Sequence, residues 1–156
     1  MKRATLMILS LIALPAFADD LRMPAKVNPA WKEECGSCHV AYPPSLLSAA
    51  NWRQMMAGLD RHFGANAQLD PKVREDILAF LENNAARKEA KHSAASLRIT
   101  DTPWFAKEHD EVPAGLWKYA RVKSAANCGA CHREAERGDY SERNIALPGY
   151  ARRAEK

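Results

Sequence analysis

Two stretches carry most of the information in this chain: Cys35-Gly36-Ser37-Cys38-His39 and Cys128-Gly129-Ala130-Cys131-His132. Between them they hold all four cysteines of the 156 residues, and a histidine follows each pair. A shuffled chain of this composition would contain roughly 0.003 such matches. Paired cysteines admit three other readings: two disulfides in an exported chain, redox dithiols, or structural zinc. None of these explains the histidine after both pairs. C-x-x-C-H is the attachment signature of c-type haem. Two thiols three positions apart reach the two vinyl groups of one porphyrin as thioethers, and the adjacent histidine is held under the iron. The chain is therefore expected to bind two haem c groups covalently, one through Cys35 and Cys38, the other through Cys128 and Cys131. His39 and His132 are the expected proximal iron ligands.

The N-terminus bears on the compartment. Lys2 and Arg3 precede an apolar run from Thr5 to Phe17, broken only by Ser10, and Ala16-Phe17-Ala18 then leads into Asp19-Asp20. This is the layout of a secretory signal peptide over residues 1–18, with cleavage expected after Ala18. A run of about 13 apolar residues falls short of the ~20 that span a bilayer, so the mature chain is expected in the periplasm and not as a spanning protein. Of the formal +4 net charge, Lys2 and Arg3 supply half and leave with the leader. That balance, without a basic stripe interleaved with aromatics, excludes a nucleic-acid partner. At 47% hydrophobic and 27% charged the composition is ordinary. It excludes wholesale disorder, and the length excludes a large catalytic barrel or a doubly wound nucleotide fold.

Residues 19–29 read as polar, extended chain, and Tyr42-Pro43-Pro44 marks a turn. From Ser48 to Phe63 the apolar spacing predicts a helix, with Trp52, Met55, Met56, Leu59, His62 and Phe63 on one face and Gly64 ending it. Asp70-Pro71 is an N-cap and N1 pair for a second helix that turns Val73, Ile77, Phe80 and Leu81 inward. Asn83 to Lys91 reads as a solvated helix end or linker. Thr102-Pro103 starts a short helix through Trp104, Phe105 and His109, stopped by Pro113. Leu116, Trp117, Tyr119 and Val122 lead into the second motif. Ile145-Ala146-Leu147-Pro148 forms an apolar knot in a polar tail, expected against a haem edge. The fold class expected is all-α, mainly helical with much irregular structure, in two haem lobes at 19–90 and 91–156. With one macrocycle for roughly every 70 residues, each burying apolar surface worth on the order of 10 kcal/mol, the haems are expected to form the core of a monomer and the apoprotein to fold poorly.

The sixth position on each iron separates an electron carrier from an enzyme, because a filled site suits electron transfer and an open one admits small ligands. Outside the motifs stand His62, His92 and His109, with Met23, Met55 and Met56 as possible thioether ligands. His62 ends an apolar stripe and reads either as a half-buried core histidine or as a ligand; two irons in need of partners favour the ligand. His109 follows Phe105 by one turn and is favoured likewise over an exposed position in the charged run Lys107 to Glu111. His92, among alanines and serines, reads as surface. Met55 and Met56 are adjacent, so they cannot share one helix face, and they read as packing residues.

These residues resemble the small dihaem cytochromes c of bacterial periplasms. The likeness rests on Cys35 to Pro44 (CGSCHVAYPP), on Trp52 to Gly64 (WRQMMAGLDRHFG) and on Pro103 to Asp110 ahead of the second C-x-x-C-H. It implies two low-spin haems of rather low potential, each with two histidine ligands: His39 and His132 proximal, His62 and His109 distal. It also implies exchange of electrons with a membrane-bound b-type cytochrome and with a small oxygen-binding haem protein. The function expected is electron transfer without catalysis, through exposed haem edges. The alternative is a small haem enzyme, a peroxidase or nitrogen-oxide reductase, with one open iron and Glu108, Asp110 or Glu111 as its acid or base. Lys107, Lys118, Arg121 and Lys123 are candidates for a local docking patch, or else an ordinary solvated face.

Overall fold

The structure, a computed structural model, describes Leu21 and residues 23–148. The expected leader, its cleavage point and the end of the tail lie outside the described residues. Among those described there are five α-helices and seven short 3-10 turns, and no strand. The all-α expectation holds, as does the large irregular share.

Asn28 and Pro29 open α1 (Pro29–Gly36), the Asn28 side chain accepting from the Trp31 amide at 3.0 Å. The expectation of extended chain through Pro29 is corrected here. Asn at the cap with Pro at the first helical position is a start signal in its own right. The first cysteine motif accordingly begins in the last turn of a helix.

The second helix, α2 (Ala49–Ala57), starts where expected, with Ser48 Oγ accepting from the Asn51 amide at 3.2 Å. It stops well short of Phe63. Gly58 takes the C-cap, and the chain tightens into a 3-10 turn over Leu59–Arg61. Glycine in a helix interior costs about 1 kcal/mol relative to alanine, and the break falls at that residue. Phe63 and Gly64 then adopt positive φ, 49° and 99°. Trp52, Met55, Met56 and Leu59 stay buried, whereas Phe63 is 44% exposed. The break thus takes His62 and Phe63 off the core stripe that their spacing suggested.

Asp70 caps α3 (Pro71–Asn83), accepting from the Lys72 amide at 2.9 Å. Ile77 and Leu81 are its buried residues, and Phe80 packs on Trp31 with ring centroids 5.2 Å apart. Trp31, Leu47, Trp52, Met55, Met56, Leu59, Ile77 and Leu81 make one core cluster among α1, α2 and α3. Burying each of its aliphatic members contributes about 1.5–3 kcal/mol. Asn28 donates to Asp76 at 2.8 Å and so ties α1 to α3. The Arg53–Glu82 ion pair joins α2 to α3 at the surface, where such pairs are worth little.

The stretch after α3 is not a free linker. The Ala86 amide donates to the Leu47 carbonyl at 3.0 Å. The carbonyl of His92, at the end of α4 (Glu89–His92), accepts from the Ser48 amide at 3.1 Å. Buried Asn51 then takes both backbone groups of Ala94, donating at 3.2 Å and accepting at 3.0 Å. The boundary expected between residues 90 and 91 falls inside α4. A second, smaller cluster of Leu46, Trp104 and Phe105 forms around α5 (Pro103–Glu108). Leu46 and Leu47, neighbours in sequence, enter different clusters. Beyond Glu108 the described chain has 3-10 turns and no α-helix, and its buried hydrophobic side chains are Leu116, Val122 and Ala135.

Candidate haem sites

Cys35 lies in the last turn of α1, Ser37 is the C-cap, and Cys38 and His39 follow directly. Ser37 Oγ donates to the Glu34 carbonyl at 2.9 Å and closes the helix end. Cys35 is half-buried and Cys38 exposed. The His39 ring stacks on Tyr42, centroids 4.6 Å apart and planes 18° apart. Its Nδ1 lies 2.8 Å from the Val40 carbonyl. A carbonyl only accepts, so Nδ1 carries the proton and Nε2 keeps its lone pair.

The break after α2 brings His62 to this ring. The His39 and His62 centroids are 6.2 Å apart, with 28° between the planes. Phe63 lies 4.9 Å from His62, and the Arg98 guanidinium sits 4.2 Å over the Phe63 ring. His62 Nδ1 is buried without a hydrogen-bond partner. Burial first, then the nearby His39 and Arg98, lower the His62 pKa and favour its neutral form.

The second motif sits on a 3-10 turn, Cys128–Ala130. The Cys131 amide donates to the Cys128 carbonyl at 3.2 Å, so the two motif cysteines stand at the two ends of one turn. The His132 amide donates to the Cys128 carbonyl at 2.8 Å. The tail closes on this turn: His132 and Ile145 form an isolated bridge, and the Ala146 amide donates to the Cys131 carbonyl at 2.8 Å. The apolar knot therefore pairs with the motif's own backbone, leaving Ile145 38% and Leu147 44% exposed. His109 caps the C-terminus of α5. Its Nδ1 lies 3.0 Å from the Phe105 carbonyl and its ring stacks on Phe105 at 4.0 Å and 16°. The His109 and His132 centroids are again 6.2 Å apart, with 76° between the planes. Burial, aided by His109, lowers the His132 pKa, against opposing contributions from the Tyr140 backbone and Asp139.

These separations suit a metal. An iron bonded at about 2 Å to one nitrogen of each of two imidazoles, each nitrogen about 1.1 Å from its ring centre, sets the centres about 6.2 Å apart. Among the described residues no group of three or more His, Cys, Asp and Glu side chains could hold a bare ion. Two imidazoles would leave an iron short of donors, and a porphyrin would supply the remaining four nitrogens. Exposed Phe63 beside His62 and exposed Ile145 beside His132 give each ring pair the apolar margin that such a macrocycle covers.

The remaining candidates go elsewhere. Met55 and Met56 are core residues of α2, 9% and 4% exposed. Met23 packs against the same cluster. His92 is not a plain surface residue: it is half-buried and stacks on Trp104 at 5.4 Å. Lys118, Arg121 and Lys123 are exposed, and Lys107 pairs with Glu108 at 3.7 Å. Sequence reasoning missed Tyr42 as more than a turn residue, although its place three positions after His39 was in view.

A family model described as dihaem cytochrome c matches residues 31–140. Among solved structures, the dihaem cytochrome c of Shewanella baltica OS155 is 39% identical, covering 80% of this chain and 96% of its own, with a TM-score of 0.70. Two structures of the dihaem cytochrome c of Rhodobacter sphaeroides are 40% and 38% identical, with TM-scores of 0.64 and 0.65. They cover 74% and 72% of this chain and 98% and 96% of their own. No curated protein matches the chain.

Proposed function

The chain belongs to the dihaem cytochrome c family and carries two covalently bound c-type haems with iron, and from that premise we propose that it is an electron carrier whose irons are both bis-histidine ligated. The observation that carries this reading is the repeated 6.2 Å spacing of His39 with His62 and of His109 with His132. Thioether attachment is proposed at Cys35 and Cys38 for the first haem and at Cys128 and Cys131 for the second. His62 serves the first iron and His109 the second.

When bound, the haems supply a one-electron Fe(III)/Fe(II) couple. The chain's part would be to hold each iron between two histidines, His39 with His62 and His109 with His132. The Val40 and Phe105 carbonyls fix the His39 and His109 tautomers, and a hydrogen-bonded Nδ1 makes the opposite nitrogen a stronger donor. Phe105 stacking holds His109 in orientation, and the Phe63 contact does the same for His62. Irons held in this way would leave no position for a substrate, and the haems would supply electron exchange through their edges. Neither Glu108, in contact with Lys107, nor exposed Asp110 and Glu111 face an open coordination site in this arrangement. We further propose export to the periplasm, and exchange with a membrane b-type cytochrome and a small oxygen-binding haem protein; the family likeness is the ground for both. No helix among the described residues is long and apolar enough to cross a membrane.

Carbon monoxide tests the carrier reading. Added to the fully reduced protein, it is expected to leave the Soret band unmoved. A shifted band accounting for one haem would show an open iron and turn the reading towards the enzyme.

A further inference from the structure

We propose that Tyr42 is the bridge through which the two haem sites exchange electrons, its ring packed on His39 and its hydroxyl bonded to the backbone that leads into Cys128. This inference rests on the electron-carrier reading and deepens it. The stack on His39 is close and nearly parallel, at 4.6 Å and 18°. The Tyr42 hydroxyl donates to the Ala126 carbonyl, two residues ahead of Cys128. The motifs themselves abut here, for a Cβ built on Gly129 would lie 3.8 Å from Val40 Cγ2. Tyr42 is held in place by Pro43 and Pro44, both fully buried, and packs against the cluster containing Phe105, which stacks on His109. One side chain therefore touches a proposed ligand of the first iron and the attachment segment of the second.

Packed atoms, covalent bonds and hydrogen bonds couple electronic states better than empty space or water does. In the exchange, one iron passes from Fe(II) to Fe(III) while the other passes from Fe(III) to Fe(II). Tyr42 stays neutral and is neither oxidised nor reduced. The Ala126 carbonyl can only accept, so the hydroxyl is the donor in this bond.

The test uses the haem-loaded protein, half reduced, with intramolecular exchange measured by NMR exchange spectroscopy and extrapolated to zero protein concentration. Tyr42→Phe keeps the ring and removes the hydroxyl; Tyr42→Leu removes both. The expected result is a several-fold slower exchange in Tyr42→Phe and a further several-fold loss in Tyr42→Leu. Both low-spin spectra and the gap between the two potentials should be unchanged. Unchanged exchange in both variants would overturn the proposal. So would a slowing fully accounted for by a changed potential gap, since Tyr42 would then act only on His39. If Tyr42→Leu fails to load haem, Tyr42→Phe alone decides. Failure of the underlying reading looks different: the unsubstituted protein would itself show an open, high-spin iron.

Discussion

At the scale of single residues, the proposed ligation makes each distal histidine answerable to one haem. His62→Ala should convert only the haem attached at Cys35 and Cys38 to a high-spin, ligand-binding form, and His109→Ala only the haem at Cys128 and Cys131. Optical spectra of each variant, with the altered haem assigned by NMR, check the pairing. Two low-spin haems persisting in both variants would refute it. The cysteine motifs were legible because covalent chemistry demands fixed residue types at fixed spacing. The proposed distal histidines were a choice among three in the sequence, because which rings come to 6.2 Å of a motif histidine is decided by the fold. His92 shows the limit: its neighbours in sequence are small and polar, yet it stacks on Trp104, twelve positions away and on another helix. Tyr42 shows it again, since nothing local announces a hydroxyl bonded to residue 126.

At the scale of elements, Asn51 is the side chain that straps the residue 92–97 stretch to α2. It is 7% exposed and meets both backbone groups of Ala94. Asn51→Ala leaves a buried amide and a buried carbonyl without partners, at about 1–3 kcal/mol each. A lowered midpoint in denaturant unfolding of the haem-loaded protein, with both haems still low-spin, is the expected outcome; an unchanged midpoint would mean water replaces the side chain at no cost. Caps at Asp70 and Thr102 were readable in sequence because capping is local. α1 was equally readable from Asn28-Pro29, with Trp31 as its one buried side chain. The end of α2 was misjudged for another reason. His62 and Phe63 continue the apolar period, but Gly58 breaks the backbone that would have carried it.

For the whole molecule, the two halves of the chain are expected to depend on haem unequally. α1, α2 and α3 share a side-chain core, whereas the described chain beyond Glu108 buries only Leu116, Val122 and Ala135 among its hydrophobics. Loss of one macrocycle removes apolar burial on the order of 10 kcal/mol, comparable to the entire stability of a domain. Cys128→Ser with Cys131→Ser should therefore abolish hydrogen-exchange protection across residues 110–148 while α2 and α3 keep much of theirs. Full protection of 110–148 in that variant would show that the turns hold without the haem. The all-helical class was readable from the helix signals and the lack of alternation. The way Leu46 and Leu47 feed separate clusters was not, because that is a property of packing between segments far apart in sequence.

The central claim is that both irons carry two histidines, and electron paramagnetic resonance of the oxidised, haem-loaded protein tests it most directly. The ring planes lie 28° apart at the first site and 76° apart at the second, so the two signals should differ in kind. The account predicts two low-spin species of equal spin count: a rhombic one from the near-parallel pair and a highly anisotropic one from the near-perpendicular pair. A high-spin signal integrating to one haem would contradict it and leave an iron open to substrate.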